Sequence, residues 1–404
     1  MISTDPLFDD LAVTLGLGLG GPPGEVINAA RGIPDGDDDA WFDSWTAAGD
    51  RLVAQADRSV AAGHRSIHAR DTYLRACRYY AIGYHPLFGA PVDPRLRAGF
   101  DRQRAVFAKA AVLAAPPGEA LEIPFEGTTL PGWFFRGGSD ARPRPLVIAT
   151  NGYDATVYEM YLAQAVPVLQ RGWHCLIFDG PGQGRVLFEQ GLPIRPDWEN
   201  VLPAVVDLAL DRPDVDPDRI ALTGWSLGGY LALRATTGEH RLAACIADPA
   251  LFAIDAGMVP RLRAAGVPED ALASYPNLSA GVLAGIEDTI RTNRAQRWAI
   301  LRRGFMVHGV DNLADYLRAV SAFTLDGRLA DITCPTLLCA AERDPLSASA
   351  SRVAEGMTAP VEQLTFLAAE GAGDHCEMGN RALYDLRVYD WLESVFGAAR
   401  RTGP

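Results

Sequence analysis

The chain has 404 residues, of which 48% are hydrophobic and 22% are charged. This balance is ordinary for a globular protein and excludes a mainly disordered chain, and the length favours one large domain with an accessory part. The net charge of −13 excludes nucleic acid and anionic membranes as main partners, because both attract basic surfaces.

Several sequence features bear on the location of the protein and on its cofactors. No stretch approaches the ~20 apolar residues of a membrane span, and the N-terminus lacks the basic start and apolar run of a secretory signal. The six cysteines are scattered, and no pair has the CxxC spacing of a zinc or redox motif. We therefore expect a cytoplasmic protein that acts on a small molecule without a cofactor or a metal ion.

Residues 1–118 are predicted to form a mostly helical domain. Apolar residues recur at helical spacing from Trp41 to Tyr80, and the acidic run at 37–39 favours the start of a helix. Pro116-Pro117-Gly118 is typical of a linker and ends this domain.

Residues 119–250 alternate predicted strands and helices. A hairpin around Gly127-Thr128 precedes four further strands, at 145–150, 174–179, 219–224 and 243–248. This alternation predicts an α/β fold, in which a mostly parallel, doubly wound sheet carries helices on both faces.

The alternation is interrupted between residues 251 and 330. Helical segments there predict a cap that is inserted between two strands of the sheet. The core resumes over residues 331–404, with strands at 335–341 and 362–367 and a closing helix at 381–396.

The segment Gly224-Trp225-Ser226-Leu227-Gly228 follows an apolar strand and precedes an apolar helix. The glycines permit a tight turn that exposes the serine hydroxyl, and the N–H groups after it lie at a helix N-terminus. This context predicts Ser226 as a nucleophile, with an ordinary helix-capping serine as the alternative.

A nucleophilic serine needs a base, and in hydrolases of this layout an acid and then a histidine follow it along the chain. Among the seven histidines, His375 is predicted as the base because it lies in a glycine-rich loop after the last strand. The cap residue His308 is the alternative. Asp344 lies just after the strand at 335–341, in Glu342-Arg343-Asp344-Pro345, and is predicted to orient His375. The rival carboxylates are Glu342, Asp248 and Asp374.

Two backbone N–H groups are predicted to hold an oxyanion. One belongs to Leu227, and the other to Tyr153 in a loop that begins at Asn151-Gly152, for which a plain turn is the alternative. The glycine-rich segment 180–184 lacks the Lys-Ser/Thr of a phosphate loop and is predicted to be a tight turn near the site. The predicted substrate-binding residues, for which core packing is the alternative, are Trp225, Trp298, Phe305 and His308.

These motifs resemble those of α/β-hydrolases. The closer resemblance is to the subgroup with an N-terminal helical domain, which includes 2,6-dihydroxypseudooxynicotine hydrolase and fungal hydrolases that shorten pigment polyketides. It covers about residues 40–395. The stretches that carry it are the helical zone from Trp41 to Tyr80 and residues 151–154, 179–184, 224–229, 308–311, 332–336, 370–372 and 375–376, whereas Gly373 and Asp374 depart from the pattern of the subgroup.

The resemblance implies a catalytic triad of Ser226, Asp344 and His375, a homodimer, and hydrolysis of a carbon–carbon bond in an aryl ketone or β-diketone. We therefore expect a serine hydrolase that forms an acyl-enzyme and cleaves such a polyketide-like substrate or an ester. Two alternatives remain open. The same triad serves acyltransferases and cyclases, and the same fold serves proteins that bind a ligand without catalysis.

Overall fold

The structure is a computed structural model that describes residues 1–64 and 67–402. The chain forms two compact units. The first contains Met1–Glu119 and Asp288–Met306, and the second contains Ala120–Glu287 and Val307–Pro404. The interval 251–330, predicted as a single cap, is therefore divided between the two units.

The first unit is built from helices. Asp37 accepts a hydrogen bond from the N–H of Ala40 at 2.9 Å, so the acidic run at 37–39 starts a helix as predicted. The helical segments of residues 1–119 are Pro6–Leu11, Ala12–Gly18, Pro23–Ala30, Asp38–Ala61, Ile67–Tyr84, His85–Leu87 and Pro94–Val112.

Aromatic side chains form the core of the first unit. The rings of Phe8 and Trp41 stack with centroids 4.2 Å apart, and Trp45 lies 5.4 Å from Trp41 and 5.2 Å from Tyr79. These four side chains are almost fully buried. Burial of such large apolar surfaces is the main force that stabilises a helical unit of this kind.

The segment Asp288–Met306 belongs to the first unit through contacts with distant residues. Arg294 donates hydrogen bonds to Asp5 and Asp38 at 2.7 Å each. The indole Nε1 of Trp298 donates to the carbonyl of His85 at 3.2 Å. Polar pairing and aromatic packing thus attach a late segment to the N-terminal helices.

The second unit contains one sheet of eight strands, which confirms the predicted α/β class. The order across the sheet is β1-β2-β4-β3-β5-β6-β7-β8, and β2 is antiparallel to β4, whereas β3 to β8 pair in parallel. The strands are β1 (Glu119–Phe125), β2 (Thr128–Phe135), β3 (Arg144–Thr150), β4 (His174–Phe178), β5 (Val215–Trp225), β6 (Ala244–Asp248), β7 (Thr336–Ala341) and β8 (Val361–Phe366).

The central strands are apolar because helices cover both faces of the sheet. From Leu146 to Ala149, every side chain of β3 is fully buried, and β4 and β6 are buried along their whole length. The helical segments of residues 120–250 are Val157–Met160, Tyr161–Ala165, Val166–Gln170, Gly184–Gln190, Trp198–Asn200, Leu202–Leu210 and Leu227–Thr236.

The remaining helical segments follow β6. Those between β6 and β7 are Met258–Ala264, Glu269–Leu272, Ala280–Thr292, Arg294–Gln296, Arg297–Gly304, Phe305–His308, Leu313–Ser321 and Leu329–Asp331. Those after β7 are Pro345–Ser349, Ala350–Gly356, Ala368–Glu370, His375–Glu377 and Arg381–Thr402. Within the described ranges, no helix is long and apolar enough to cross a membrane.

The carboxyl ends of the parallel strands lie at one edge of the sheet. The loops that begin at Asn151, Ser226, Pro249 and Glu342 therefore start side by side, although they are far apart in sequence. In open α/β sheets, ligands bind at this edge.

Candidate active site

Ser226 lies on the turn between β5 and the helix Leu227–Thr236. Its backbone has φ 60° and ψ −125°, a conformation that residues other than glycine rarely adopt. Its N–H donates to the carbonyl of Asp248, at the end of the neighbouring strand β6, at 2.6 Å. Such strain costs about 1–3 kcal/mol and persists where the surrounding structure holds it, often at functional sites.

The turn requires glycine at position 224 for steric reasons. A Cβ atom on Gly224 would lie 1.8 Å from the carbonyl oxygen of Gly228. Only a residue without a side chain lets the strand and the helix approach so closely. The spacing of the Gly-x-Ser-x-Gly segment therefore encodes the turn directly.

A chain of hydrogen bonds joins Ser226 to His375 and Asp344. The Nε2 atom of His375 lies 2.9 Å from the Oγ of Ser226, and its Nδ1 atom lies 2.7 Å from the Oδ2 of Asp344. With a proton on Nδ1 that is donated to the carboxylate, Nε2 is free to accept the serine proton. The structure thus brings together the three residues that the sequence singled out.

The environment of His375 favours its protonated form. Partial burial opposes the positive charge, but the hydrogen bond and negative charge of Asp344 outweigh it and raise the pKa of His375. The Asp344 side chain is 2% exposed, so its charge is weakly screened by water. Its other oxygen accepts the N–H of Leu346 at 3.0 Å, which fixes the carboxylate in place.

The three rival carboxylates have other partners. Asp374 pairs with Arg343 at 2.8 Å on the exposed side of the loop, and Glu342 accepts the N–H of Ala368 at 2.6 Å. Asp248 is buried and pairs with Arg381 at 3.2 Å. Asp344 is thus the one among these four carboxylates that hydrogen-bonds the ring of His375.

The other histidines have different surroundings. His174 accepts the N–H of Gly137 through Nδ1 at 2.9 Å and contacts the carbonyl of Asp214 through Nε2 at 2.9 Å. Burial lowers its pKa, so it is a neutral structural residue. His308 is buried among aromatic rings, with centroids 5.3–5.5 Å from those of Tyr153, Tyr316 and Phe323.

The loop after β3 is held close to Ser226. A Cβ atom on Gly152 would lie 2.9 Å from the Cβ of Ser226 and 2.8 Å from the carbonyl oxygen of Trp225. The Asn151 side chain orients this loop, because its Oδ1 accepts the N–H of Gly152 at 2.7 Å. The next N–H group along the chain is that of Tyr153, the predicted second oxyanion donor.

A second loop, after β4, clamps the first. The buried side-chain amide of Gln183 donates to the carbonyls of Asn151 at 2.8 Å and Gly152 at 3.0 Å, and its oxygen accepts the N–H of Gly180 at 2.9 Å. The Asp179 carboxylate accepts the N–H of Val157 at 2.9 Å, and burial raises the pKa of Asp179 to about 7. Sequence reasoning predicted only a tight turn here; a buried polar side chain within a glycine-rich loop was the missed signal.

The predicted substrate-binding residues lie in different units. Trp225 and His308 belong to the second unit, where both side chains are buried. The indole Nε1 of Trp225 has no hydrogen-bond partner within the described residues. Trp298 and Phe305 belong to the first unit, and the Trp298 ring packs 5.5 Å from that of His85. A substrate-binding role stays a prediction for all four.

Comparisons with known proteins agree with this architecture. Residues 146–385, more than half of the chain, match the model of the alpha/beta hydrolase family. The chain therefore belongs to that family.

Its relatives match over nearly their whole length. The hydrolase LUC6 of Fusarium sp is 31% identical over 95% of this chain and 94% of its own. The 20-hydroxy-prefusarin hydrolase FUS2 of Gibberella moniliformis is 32% identical over 94% of each chain. The crystal structure of 2,6-dihydroxy-pseudo-oxynicotine hydrolase is similar with a TM-score of 0.74 and 27% identity, over 95% of each chain. These relatives identify the protein as a hydrolase and confirm the resemblance seen in the sequence.

Proposed function

We propose that this protein is a serine hydrolase in which Ser226 is the nucleophile, His375 the general base and Asp344 the residue that orients the base. The observation that carries the proposal is the continuous chain of hydrogen bonds from Asp344 through His375 to Ser226, with distances of 2.7 and 2.9 Å. These distances lie within the range required for proton transfer.

The reaction would follow the usual course of acyl transfer. Ser226 attacks the carbonyl carbon of the substrate while His375 accepts the serine proton, and the N–H groups of Leu227 and Tyr153 bind the oxyanion. Collapse of the tetrahedral intermediate releases the leaving group, which takes the proton from His375. Water then attacks the acyl-enzyme by the same route and releases the acid.

The proposed substrate is an aryl ketone or a β-diketone of polyketide type, or an ester. The names of two relatives, 20-hydroxy-prefusarin hydrolase and 2,6-dihydroxy-pseudo-oxynicotine hydrolase, support a search among secondary metabolites and aromatic ketones. Cleavage of a carbon–carbon bond expels a carbanion, so such a substrate must stabilise negative charge on that carbon. The rings of Tyr153 and His308, which lie 5.5 Å apart, are suited to contact an aromatic group.

Replacement of the serine hydroxyl tests the proposal directly. We expect Ser226→Ala to lower kcat for 4-nitrophenyl butyrate by at least about 10³-fold, because the covalent step is lost. A fluorophosphonate probe should label Ser226 in the wild type, as judged by peptide mass spectrometry, and should not label the variant. Thr223→Ala is a matched control, because it also removes a hydroxyl near the end of β5. Unchanged turnover in Ser226→Ala would refute the proposal.

Product analysis defines the reaction class. A panel of aryl esters, aryl ketones and β-diketones should contain a substrate whose products are a carboxylic acid plus an alcohol, or an acid plus a methyl or methylene compound. Transfer of the acyl group to an added alcohol or amine, in place of water, would instead assign the protein to the acyltransferases.

A further inference from the structure

Three ionisable side chains that the proposed mechanism does not use lie buried together in the second unit. They are Asp248 at the end of β6, Glu377 two residues after His375, and Arg381 at the start of the last helix. Asp248 is 1% exposed and Glu377 is fully buried. The Arg381 Nη1 atom lies 3.2 Å from the Oδ2 of Asp248 and 3.7 Å from the Oε2 of Glu377.

This cluster is hydrogen-bonded to the two backbone turns that carry Ser226 and His375. The carbonyl of Asp248 accepts the N–H of Ser226 at 2.6 Å. Arg381 donates from Nη1 to the carbonyl of Cys376 at 2.8 Å, directly after His375. One cluster thus holds the turn of the nucleophile and the turn of the base.

The His375 turn needs such support because its backbone is strained. Cys376 and Glu377 have φ values of 52° and 50°, so two consecutive residues other than glycine adopt left-handed conformations. Residues in this region persist where surrounding contacts fix them. The bonds from Arg381 supply contacts of this kind.

The two carboxyl groups of the cluster cannot both be ionised at low cost. One guanidinium faces two fully buried acids, and two negative charges in one buried site strongly disfavour each other. Both carboxyl groups face the same Arg381 Nη1 atom, and within the described residues neither Glu377 oxygen nor the Oδ1 of Asp248 has a hydrogen-bond donor. A proton on Glu377 removes one of the two buried negative charges and supplies a hydrogen-bond donor. Burial and the charge of Asp248 favour this proton, because they raise the pKa of Glu377 well above its usual range.

We propose that Asp248, Glu377 and Arg381 form a positioning cluster in which protonated Glu377 donates a hydrogen bond to Asp248, and the remaining carboxylate charge stabilises the imidazolium of His375. The cluster acts through His375, so its members are positioning residues, and its catalytic effect rests on the function proposed above. The charge of Asp248 supports this role, since it adds to that of Asp344 in raising the pKa of His375.

Other ionisable groups face the same region. Those around His375 are Asp344, Asp154, Ser226 and Cys376, and those around the carboxyl pair are Cys339, Asp344, Cys376, Tyr384 and Asp385. Burial raises the pKa of Asp385 to about 6, whereas the positive charge of Arg381 opposes this rise. None of these groups pairs with Asp248 as Arg381 does.

Titration of His375 in the free protein tests the cluster without reference to turnover. In ¹⁵N-histidine-labelled protein, with the His375 signal assigned from His375→Gln, we expect Asp248→Asn to lower the pKa of His375 by about 0.5–1 unit, because a nearby negative charge is lost. Asp374→Asn is the matched control. It removes an exposed carboxylate next to His375 in sequence, and we expect no shift. An equal shift in the two variants would overturn the proposal.

Substitutions of Glu377 test the location of the proton. Glu377→Gln should leave the pKa of His375 unchanged, because an amide donates to Asp248 as the protonated acid does. A fall in this pKa would show that Glu377 is ionised and would overturn the proposal. The titration of His375 in Glu377→Gln also tests the proposal where a thermal melt shows that Asp248→Asn does not fold.

Kinetics then connect the cluster to catalysis. We expect Asp248→Asn and Glu377→Leu to lower kcat for 4-nitrophenyl butyrate by about 3–10-fold, the factor that corresponds to the expected shift in pKa. Glu377→Gln should recover most of the activity lost in Glu377→Leu, and equal activity of these two variants would count against a donor role. Where the wild type has no serine-dependent turnover, the proposed function fails, and the titration still tests the cluster.

Discussion

At the scale of single residues, the proposed site depends on which carboxylate reaches His375. Glu342 and Asp344 both follow β7, and Asp248 is the last residue of β6, so all three lie at the same edge of the sheet. The structure separates them by their partners. Asp344 contacts His375, whereas Asp248 and Glu342 bond to Arg381 and to the N–H of Ala368.

The separate roles of Asp344 and Asp248 predict different losses of activity. We expect Asp344→Asn to lower kcat by about 10³–10⁴-fold, because an amide favours the wrong tautomer of His375. The smaller loss proposed above for Asp248→Asn should be clearly distinct in steady-state assays at the pH optimum. Asp374→Asn, which removes only an exposed ion pair, should retain activity within about twofold. A larger loss in Asp248→Asn than in Asp344→Asn would reassign the acid.

At the scale of structural elements, two loops contribute to the proposed oxyanion site. The loop after β3 contains Tyr153, whose N–H is the proposed donor, and Gln183 in the loop after β4 holds that loop through the carbonyls of Asn151 and Gly152. The Gln183 side chain is 1% exposed, and both the oxygen and the NH2 group of its amide are hydrogen-bonded, so it is a rigid support. The Gly-Gln-Gly segment at 182–184 is therefore a clamp as well as a turn.

Loss of this clamp should weaken binding of the transition state more than that of the substrate. We expect Gln183→Leu to lower kcat by about 10–100-fold with little change in KM, because a misplaced N–H stabilises only the oxyanion. The affinity of a trifluoromethyl ketone inhibitor should fall by about the same factor as kcat. Gln190→Leu is the control, since Gln190 also donates to a backbone carbonyl, that of Thr129. Equal losses in both variants, or unchanged inhibitor affinity, would refute the clamp.

At the scale of the whole molecule, the chain does not divide at one linker. Residues up to Glu119 form one unit only together with Asp288–Met306, which lies more than 150 residues later. In that segment Arg294 bonds to Asp5, and the ring of Trp298 packs against that of His85. The N-terminal helices are therefore required to cover apolar groups of a segment encoded after β6.

Removal of the N-terminal helices should therefore destabilise the rest of the chain. We expect a chain that begins at residue 120 to aggregate, because Trp298 loses its packing partners and becomes exposed. Size-exclusion chromatography and circular dichroism would measure this. A second truncated chain, in which 288–306 are also replaced by a glycine–serine linker, should be more soluble. A monomeric chain from residue 120 with an unchanged melting temperature would contradict this view.

Local patterns predicted much of the fold and the site. Apolar runs of about six residues, bounded by turn residues, predicted both ends of each strand within two residues, apart from β5, which begins four residues earlier than predicted. The Gly-x-Ser-x-Gly segment gave the turn at Ser226 because its steric requirement is local, as the close approach of Gly224 to Gly228 shows. The interval 251–330, predicted as one cap, contributes Asp288–Met306 to the first unit and its other residues to the second. Sequence periodicity could not predict this division, because it does not indicate which distant surface a helix covers.

The sequence by itself determined the α/β class, the strained turn and the residue types that the chemistry needs, since these depend on neighbours along the chain. Only the tertiary structure decided that Asp344 contacts the imidazole and that Asp248 pairs with Arg381, 133 residues away. The same holds for the attachment of Asp288–Met306 to the N-terminal helices. Distances between remote residues depend on the packing of the whole chain, and no local pattern encodes them.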